Sequence, residues 1–95
     1  MLARIFSAAT FGLESRQIEV EVDVVERSFP TFKIVGLPDK AVEEAKERIR
    51  SAIDNSGVSF PRHKVIINLA PADLPKIGPS FDLPMAIGIL IASGQ

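Results

Sequence analysis

Residues 16–26 alternate between β-branched and acidic side chains, in the cleanest pattern of the chain. The alternating positions are Ile18, Glu19, Val20, Glu21, Val22, Asp23 and Val24. Because successive side chains of a strand point to opposite faces, this pattern predicts a strand with one buried face and one face in water. Antiparallel sheets accommodate such a strand well. The mostly apolar residues 2–13 predict a preceding strand, joined to it as a hairpin by a turn through Glu14 and Ser15.

The next stretch predicts a third strand and a long helix. The run Phe32 to Val35 is mostly apolar and stops at Gly36. Pro38 and Asp39 suit the first turn of a helix. The apolar residues that follow recur at spacings of three and four, which places them on one helix face. They are Val42, Ala45, Ile49, Ala52 and Ile53.

The polar side of this helix predicts a local ion pair. Glu44 and Arg48 stand four positions apart, with the acid nearer the N-terminus, which is the favourable order. Asn55-Ser56-Gly57 then predicts the end of the helix.

Two further apolar runs predict the last strand and the last helix. Residues 65–69 are almost continuously apolar, which is typical of a strand buried on both faces. Residues 83–93 are apolar on nearly every side and predict a buried helix that stops at Gly94. The predicted order is therefore β-β-β-α-β-α. It favours an α+β two-layer sandwich, in which a mixed sheet carries its helices on one face.

The bulk numbers limit the class of protein. A chain of 95 residues forms a single domain, residues 1–95, and its apolar end predicts that it is cut from a longer protein. The net charge of −1 gives no basic excess, which disfavours strong autonomous nucleic-acid binding. There is no cysteine for a disulfide or thiolate site. The longest apolar run is too short to span a bilayer, so we expect a soluble, cytoplasmic protein without membrane contacts.

The loop between the last strand and the last helix is the main candidate site. Its four prolines stiffen the backbone, and Gly78 supplies a flexible position. A rigid loop aimed at a helix N-terminus suits an anion, a peptide carbonyl or a protein partner. Candidate binding residues here are Lys76, Gly78, Ser80 and Asp82. Asp82 is interpreted as a helix N-cap rather than a base or metal ligand, and Ser80 as a cap or turn serine rather than a nucleophile.

A second candidate is a small basic patch for phosphates around Arg62, His63 and Lys64, with Lys33 and Lys76 as further members. The alternative is an ordinary solvated surface. His63 is the sole histidine and stands between two cations, which makes a poor metal site. We expect no metal site in these residues, and no Gly-x-x-x-x-Gly-Lys-Ser/Thr motif occurs for ATP.

Three motifs together resemble the N-terminal domain of the YifB/ComM family of bacterial AAA+ ATPases, often labelled magnesium-chelatase-like. They are Ile-Val-Gly-Leu-Pro-Asp at 34–39, Asn-Leu-Ala-Pro-Ala-Asp at 68–73 and Ser-Phe-Asp-Leu-Pro at 80–84. The resemblance spans the whole chain. It implies a Lon-protease-like fold, with a left-handed β-α-β arrangement also found in a ribosomal-protein domain. It further implies a following ATPase module that binds ATP and Mg²⁺, hexameric rings, and a role in DNA branch migration during natural transformation.

The leading hypothesis is therefore a non-catalytic module that contacts its own ATPase domain, neighbouring subunits or DNA, with no cofactor of its own. One alternative is a Lon-type serine peptidase, because residues 76–80 are similar to the Lon loop that carries the catalytic serine, at the position of Ser80. Phe81 and Asp82 replace the small residues of active Lon, and the lysine partner would lie beyond Gln95, so Ser80 is interpreted as a structural remnant. A magnesium-chelatase-related subunit is the other alternative, although no recognisable Mg²⁺ or porphyrin site occurs.

Overall fold

Within the part of the chain that the structure describes, four strands and two helices follow one another in the predicted order. In the computed structural model they are β1 (Leu2–Phe11), β2 (Glu14–Val25), β3 (Thr31–Val35), α1 (Asp39–Asn55), β4 (Lys64–Ala70) and α2 (Asp82–Ala92). The structure describes residues 1–11, 14–26, 29–71 and 81–94. The helix ends predicted at Ser56-Gly57 and Gly94 are confirmed.

The first two strands form the predicted antiparallel hairpin, paired from Leu2 opposite Asp23 to Phe11 opposite Glu14. The turn itself was misplaced by the sequence prediction, because Glu14 and Ser15 belong to β2. Since Phe11 and Glu14 are partners, two residues connect the strands, and these lie outside the described residues.

The last strand enters the middle of the sheet. The strand order is β1-β2-β4-β3, with β4 antiparallel to β2 and parallel to β3. A parallel neighbour requires a crossover, and α1 provides it between β3 and β4. The sheet is therefore mixed, as predicted.

Both helices cover one face of this sheet and leave the other face open, which confirms the two-layer α+β sandwich. The buried sheet residues alternate along each strand, and Val65, Ile67 and Leu69 of β4 join the same core. We call the opposite side the open sheet face; it carries Leu2, Arg4, Phe6, Gln17, Glu19, Glu21, Asp23, Thr31, Lys33, Val35, Lys64, Ile66, Asn68 and Ala70. The prediction that β4 is buried on both faces is wrong, because no helix of the described residues covers Asn68, which is exposed, or Ile66, which is half-buried.

The prediction that α2 is buried on nearly every side is also wrong. Met85 and Ile89 have no exposed surface and face the sheet. On the other side, Leu83 is 69%, Ile87 39% and Ile91 48% exposed. We call these three residues the α2 stripe. The error arises because local periodicity cannot tell whether a second layer lies over an apolar helix.

The glycine of the 34–39 motif is required by the contact between the end of β3 and β4. Gly36 has φ +106°, a conformation that side chains with a Cβ rarely adopt. A Cβ here would also overlap the carbonyl oxygen of Leu69. The crossover into α1 therefore begins with backbone packed directly against β4.

Candidate functional site

A bidentate ion pair joins the two helices beside the predicted site. The Nε of Arg48 donates to Asp82 Oδ2 over 2.6 Å, and its Nη2 donates to Oδ1 over 3.2 Å. The hydrogen bond with Asp82 raises the pKa of Arg48 above its ordinary value, although burial opposes it and charge attraction adds to it. Because arginine is ionised at every accessible pH, the consequence is geometric: α1 fixes the first turn of α2.

The prediction that Asp82 is the N-cap is wrong. Phe81 holds the cap position, no side chain caps the helix, and Asp82 is the first helical residue. Its carboxylate turns to Arg48 because a guanidinium offers two charge-assisted hydrogen bonds. An acid in the first turn still interacts favourably with the helix dipole.

The predicted partner of Arg48 was also wrong. Within the described residues, the ion pair of Arg48 is with Asp82 and not with Glu44. Glu44 contributes the smallest of the influences that raise the pKa of Arg48. A contact across 34 positions of sequence leaves no periodic signal, which is why local spacing missed it.

Three of the predicted binding residues, Lys76, Gly78 and Ser80, lie outside the described residues. Their roles, including that of Ser80 as a nucleophile, stay predictions. The structure does describe the residue that follows these positions: Phe81 is 1% exposed and packs in the core. The loop therefore enters α2 from a buried aromatic residue rather than from a solvated cap.

The basic pair Arg62 and Lys64 lies at the other end of β4 from the loop. Lys64 begins this strand and Ala70 ends it, and six steps of about 3.3 Å separate them by about 20 Å. Arg62 is exposed, whereas Lys64 is half-buried. In the described part of the chain, these cations and Asp82 do not converge on one site.

A cation–π cluster, missed by the sequence reasoning, lies at the edge of the core. The rings of Phe32 and Phe60 are 5.1 Å apart. The guanidinium of Arg50 stands 5.5 Å from the first ring and 5.4 Å from the second. This arrangement holds the connector after α1 against the sheet layer, and we assign it a structural role. Its signal in the sequence is weak, because Phe60 follows the helix end without any repeating pattern.

The open sheet face combines paired charges with exposed apolar side chains. Arg4 Nε lies 3.3 Å from Glu19 Oε1 and 3.2 Å from Glu21 Oε2. Leu2 and Phe6 flank this triad on β1 and are 48% and 61% exposed. Beside Phe6, a hollow of about 290 Å³ is bordered by Gln17, Glu19, Ala70 and Pro71.

Along β2 this face carries the carboxylates of Glu19, Glu21 and Asp23, whereas Lys33 and Lys64 lie on the same face in β3 and β4. The β2 side of the face repels phosphates, because its three carboxylates outnumber Arg4 and the N-terminal amine that pair with them. In the part of the chain that the structure describes, no group of three or more acidic, histidine or cysteine side chains could hold a metal ion. Among the same residues, no helix has the length and apolar character needed to cross a bilayer.

Comparison with known proteins identifies the family. A family model described as subunit ChlI of Mg-chelatase matches residues 20–95. The chain belongs to this family. Competence protein ComM of Haemophilus influenzae is 48% identical over 94 residues, which cover 99% of this chain and 18% of that protein.

Two further relatives support the same family membership. The protein YifB of Escherichia coli shows 48% identity over the same length, and a protein of Mycobacterium tuberculosis shows 40% over 91 residues. The membership of the YifB/ComM family that the three motifs predict is thus confirmed. The chain spans 18% of the length of these relatives.

Proposed function

We propose that this domain is a non-catalytic contact module in the N-terminal part of a longer, cytoplasmic ComM/YifB-type ATPase that acts in DNA processing. The 48% identity to a protein named for competence supports the link to DNA uptake. The ATPase part, with its ATP and Mg²⁺, lies outside these residues in this proposal. The domain contacts that part or a neighbouring subunit of a hexameric ring.

One observation carries the choice of protein over DNA as the partner: the composition of the open sheet face. Arg4 is already paired with Glu19 and Glu21, so contact with a protein would leave this cation with its partners. The exposed aromatic Phe6 supplies the apolar anchor that is typical of protein interfaces. On the β1–β2 side of this face, the carboxylates of β2 oppose the approach of a phosphate backbone.

Oligomerisation of the full-length protein tests this assignment. The variant Phe6→Ser should weaken ring assembly, measured by analytical ultracentrifugation with ATP over a dilution series. The matched control is Phe29→Ser, because Phe29 is 90% exposed and lies outside the open sheet face. Unchanged assembly of Phe6→Ser would contradict contact with a neighbouring subunit through the open sheet face.

DNA binding is tested in parallel with the variants Arg62→Ala and Lys64→Ala, each of which removes one cation of the basic pair. Both variants should bind DNA as the parent protein does, with the same dependence on salt. The plot of log affinity against log salt concentration has a negative slope. If its magnitude decreases by about 0.9 for each cation removed, that side chain contacts a phosphate directly, and the expectation is wrong.

A further inference from the structure

The α2 stripe is an apolar surface that the fold leaves uncovered in the described residues. Leu83, Ile87 and Ile91 stand four positions apart, so they form a continuous line on one side of the helix. The opposite side of α2 packs on the sheet. A helix that is apolar all round is typical of one with neighbours on every side.

The neighbours that α2 already has are known. Gly88 packs against Val22, which brings the inner side of α2 directly onto β2. Asp82 is held by Arg48, which places α1 along another side. The side that carries the α2 stripe is the one left for another element.

The chain leaves α2 through a sharp turn. Ser93 is the C-cap, and the following Gly94 has φ +82° with its N–H bonded to the carbonyl of Ile91 over 3.1 Å. A left-handed glycine after a helix redirects the chain sharply at the helix end. Connections between packed elements are commonly short, so an element that follows this turn lies next to α2.

The relatives are long enough to contain such an element. The aligned residues make up 18% of ComM, so most of that polypeptide lies outside the region matched here. A tethered segment has a far higher effective concentration at the stripe than a free partner does. A segment of the same polypeptide is therefore favoured over a second copy.

We propose that the segment directly following Gln95 in the full-length protein packs its own apolar side chains onto the α2 stripe. This inference rests on the proposed function, which places the domain ahead of the ATPase part. The segment completes the layer over α2. It also couples the position of α2, and through Arg48 that of α1, to the polypeptide that leads towards the ATPase part.

Thiol labelling in the full-length protein tests whether a segment covers the α2 stripe. The variants are Ile87→Cys and the control Glu43→Cys, because the Glu43 side chain is 80% exposed on α1. Labelling of each site by a maleimide is followed by peptide mass spectrometry. We expect the thiol at position 87 to react at least about tenfold more slowly than the control, at every protein concentration.

Equal rates would overturn the proposal, and protection that disappears on dilution would assign the stripe to a second copy instead. Leu83→Cys repeats the test if Ile87→Cys lowers the melting temperature.

Cross-linking identifies the segment that packs on the α2 stripe. A photoactivatable maleimide on the introduced thiol should capture a peptide from beyond residue 95 of the same molecule. Mixing ¹⁴N- and ¹⁵N-labelled protein separates links within one molecule from links between molecules. A link to residues 72–80, or one between molecules, would overturn the inference. If the Phe6→Ser variant assembles normally while position 87 stays protected, the proposed subunit contact through the open sheet face fails, and the intramolecular packing on the α2 stripe stands.

Discussion

Gly88 of α2 lies so close to Val22 of β2 that a Cβ atom added to the glycine would come within 2.5 Å of the valine Cγ2. Val22 has no exposed surface, and its branched side chain has little freedom to move aside. The absence of a side chain at this one position thus sets the distance between the helix layer and the sheet.

The first prediction follows from that contact. Gly88→Ala should destabilise the protein by about 1–2 kcal/mol, because overpacking costs about 1–3 kcal/mol and exceeds the gain of about 1 kcal/mol in helix propensity. Chemical denaturation followed by circular dichroism measures the change. Adding Val22→Ala should relieve the overlap, so the double variant should lose less than the sum of the two single losses. A stabilised Gly88→Ala protein would contradict the prediction.

Gly36 gives a second prediction, with a matched control. Gly36→Ala combines a positive φ of +106° with an overlap on Leu69, whereas Gly57→Ala has φ +81° and no atom within 4 Å of the added Cβ. We expect Gly57→Ala to cost about 1 kcal/mol for backbone strain alone. Gly36→Ala should cost about 2 kcal/mol more, because the backbone of β4 must move. Equal melting temperatures for the two variants would show that the overlap is relieved without cost.

The ion pair between the helices gives a third prediction. Arg48→Lys should lower the melting temperature, because an ammonium cannot reproduce the two parallel hydrogen bonds to Asp82. Asp82→Asn should have a similar effect, and the double variant should lose less than the sum. Both side chains are partly exposed, so the difference should shrink at high salt. Glu44→Gln is the control and should leave the melting temperature nearly unchanged; a loss as large as that of Arg48→Lys would restore Glu44 as the partner.

Neighbouring isoleucines of β4 give a fourth prediction. Ile67 has no exposed surface, whereas Ile66 is half-buried on the open sheet face. We expect Ile67→Ala to cost about 3 kcal/mol and Ile66→Ala about 1 kcal/mol or less, measured by urea denaturation. Comparable losses would mean that a further layer covers the open sheet face.

Sequence patterns predicted the strands and helices well where one periodicity was strong. The alternation in β2 gave the correct buried face, and the turn residues after α1 and α2 gave the correct ends. For β4 and α2 the patterns overstated burial, since Ile66 and the α2 stripe are apolar yet lie on outward sides. Hydrophobicity reports that a residue can be buried, and tertiary context decides whether it is.

The candidate site was harder to predict than the fold. Asp82 was singled out correctly, but its role as a cap was wrong because Arg48 reaches it from another helix. Arg62 and Lys64 are close to each other in sequence, and the direction of β4 carries them away from the loop. Contacts between distant positions depend on strand order, and the insertion of β4 between β2 and β3 has no local signature.

That strand order has a consequence for how the protein is made. The β1–β2 hairpin has all its pairing residues within the first 25 positions, so it can form as soon as they leave the ribosome. β3 ends at Val35, yet its neighbour in the sheet begins at Lys64. During synthesis, Phe32 and Ile34 must wait for about thirty more residues before β4 arrives to pair with their strand, which is a cost of non-local topology. A ribosome paused in that interval would present an aggregation-prone nascent chain, and it is at this stage that a chaperone would be needed.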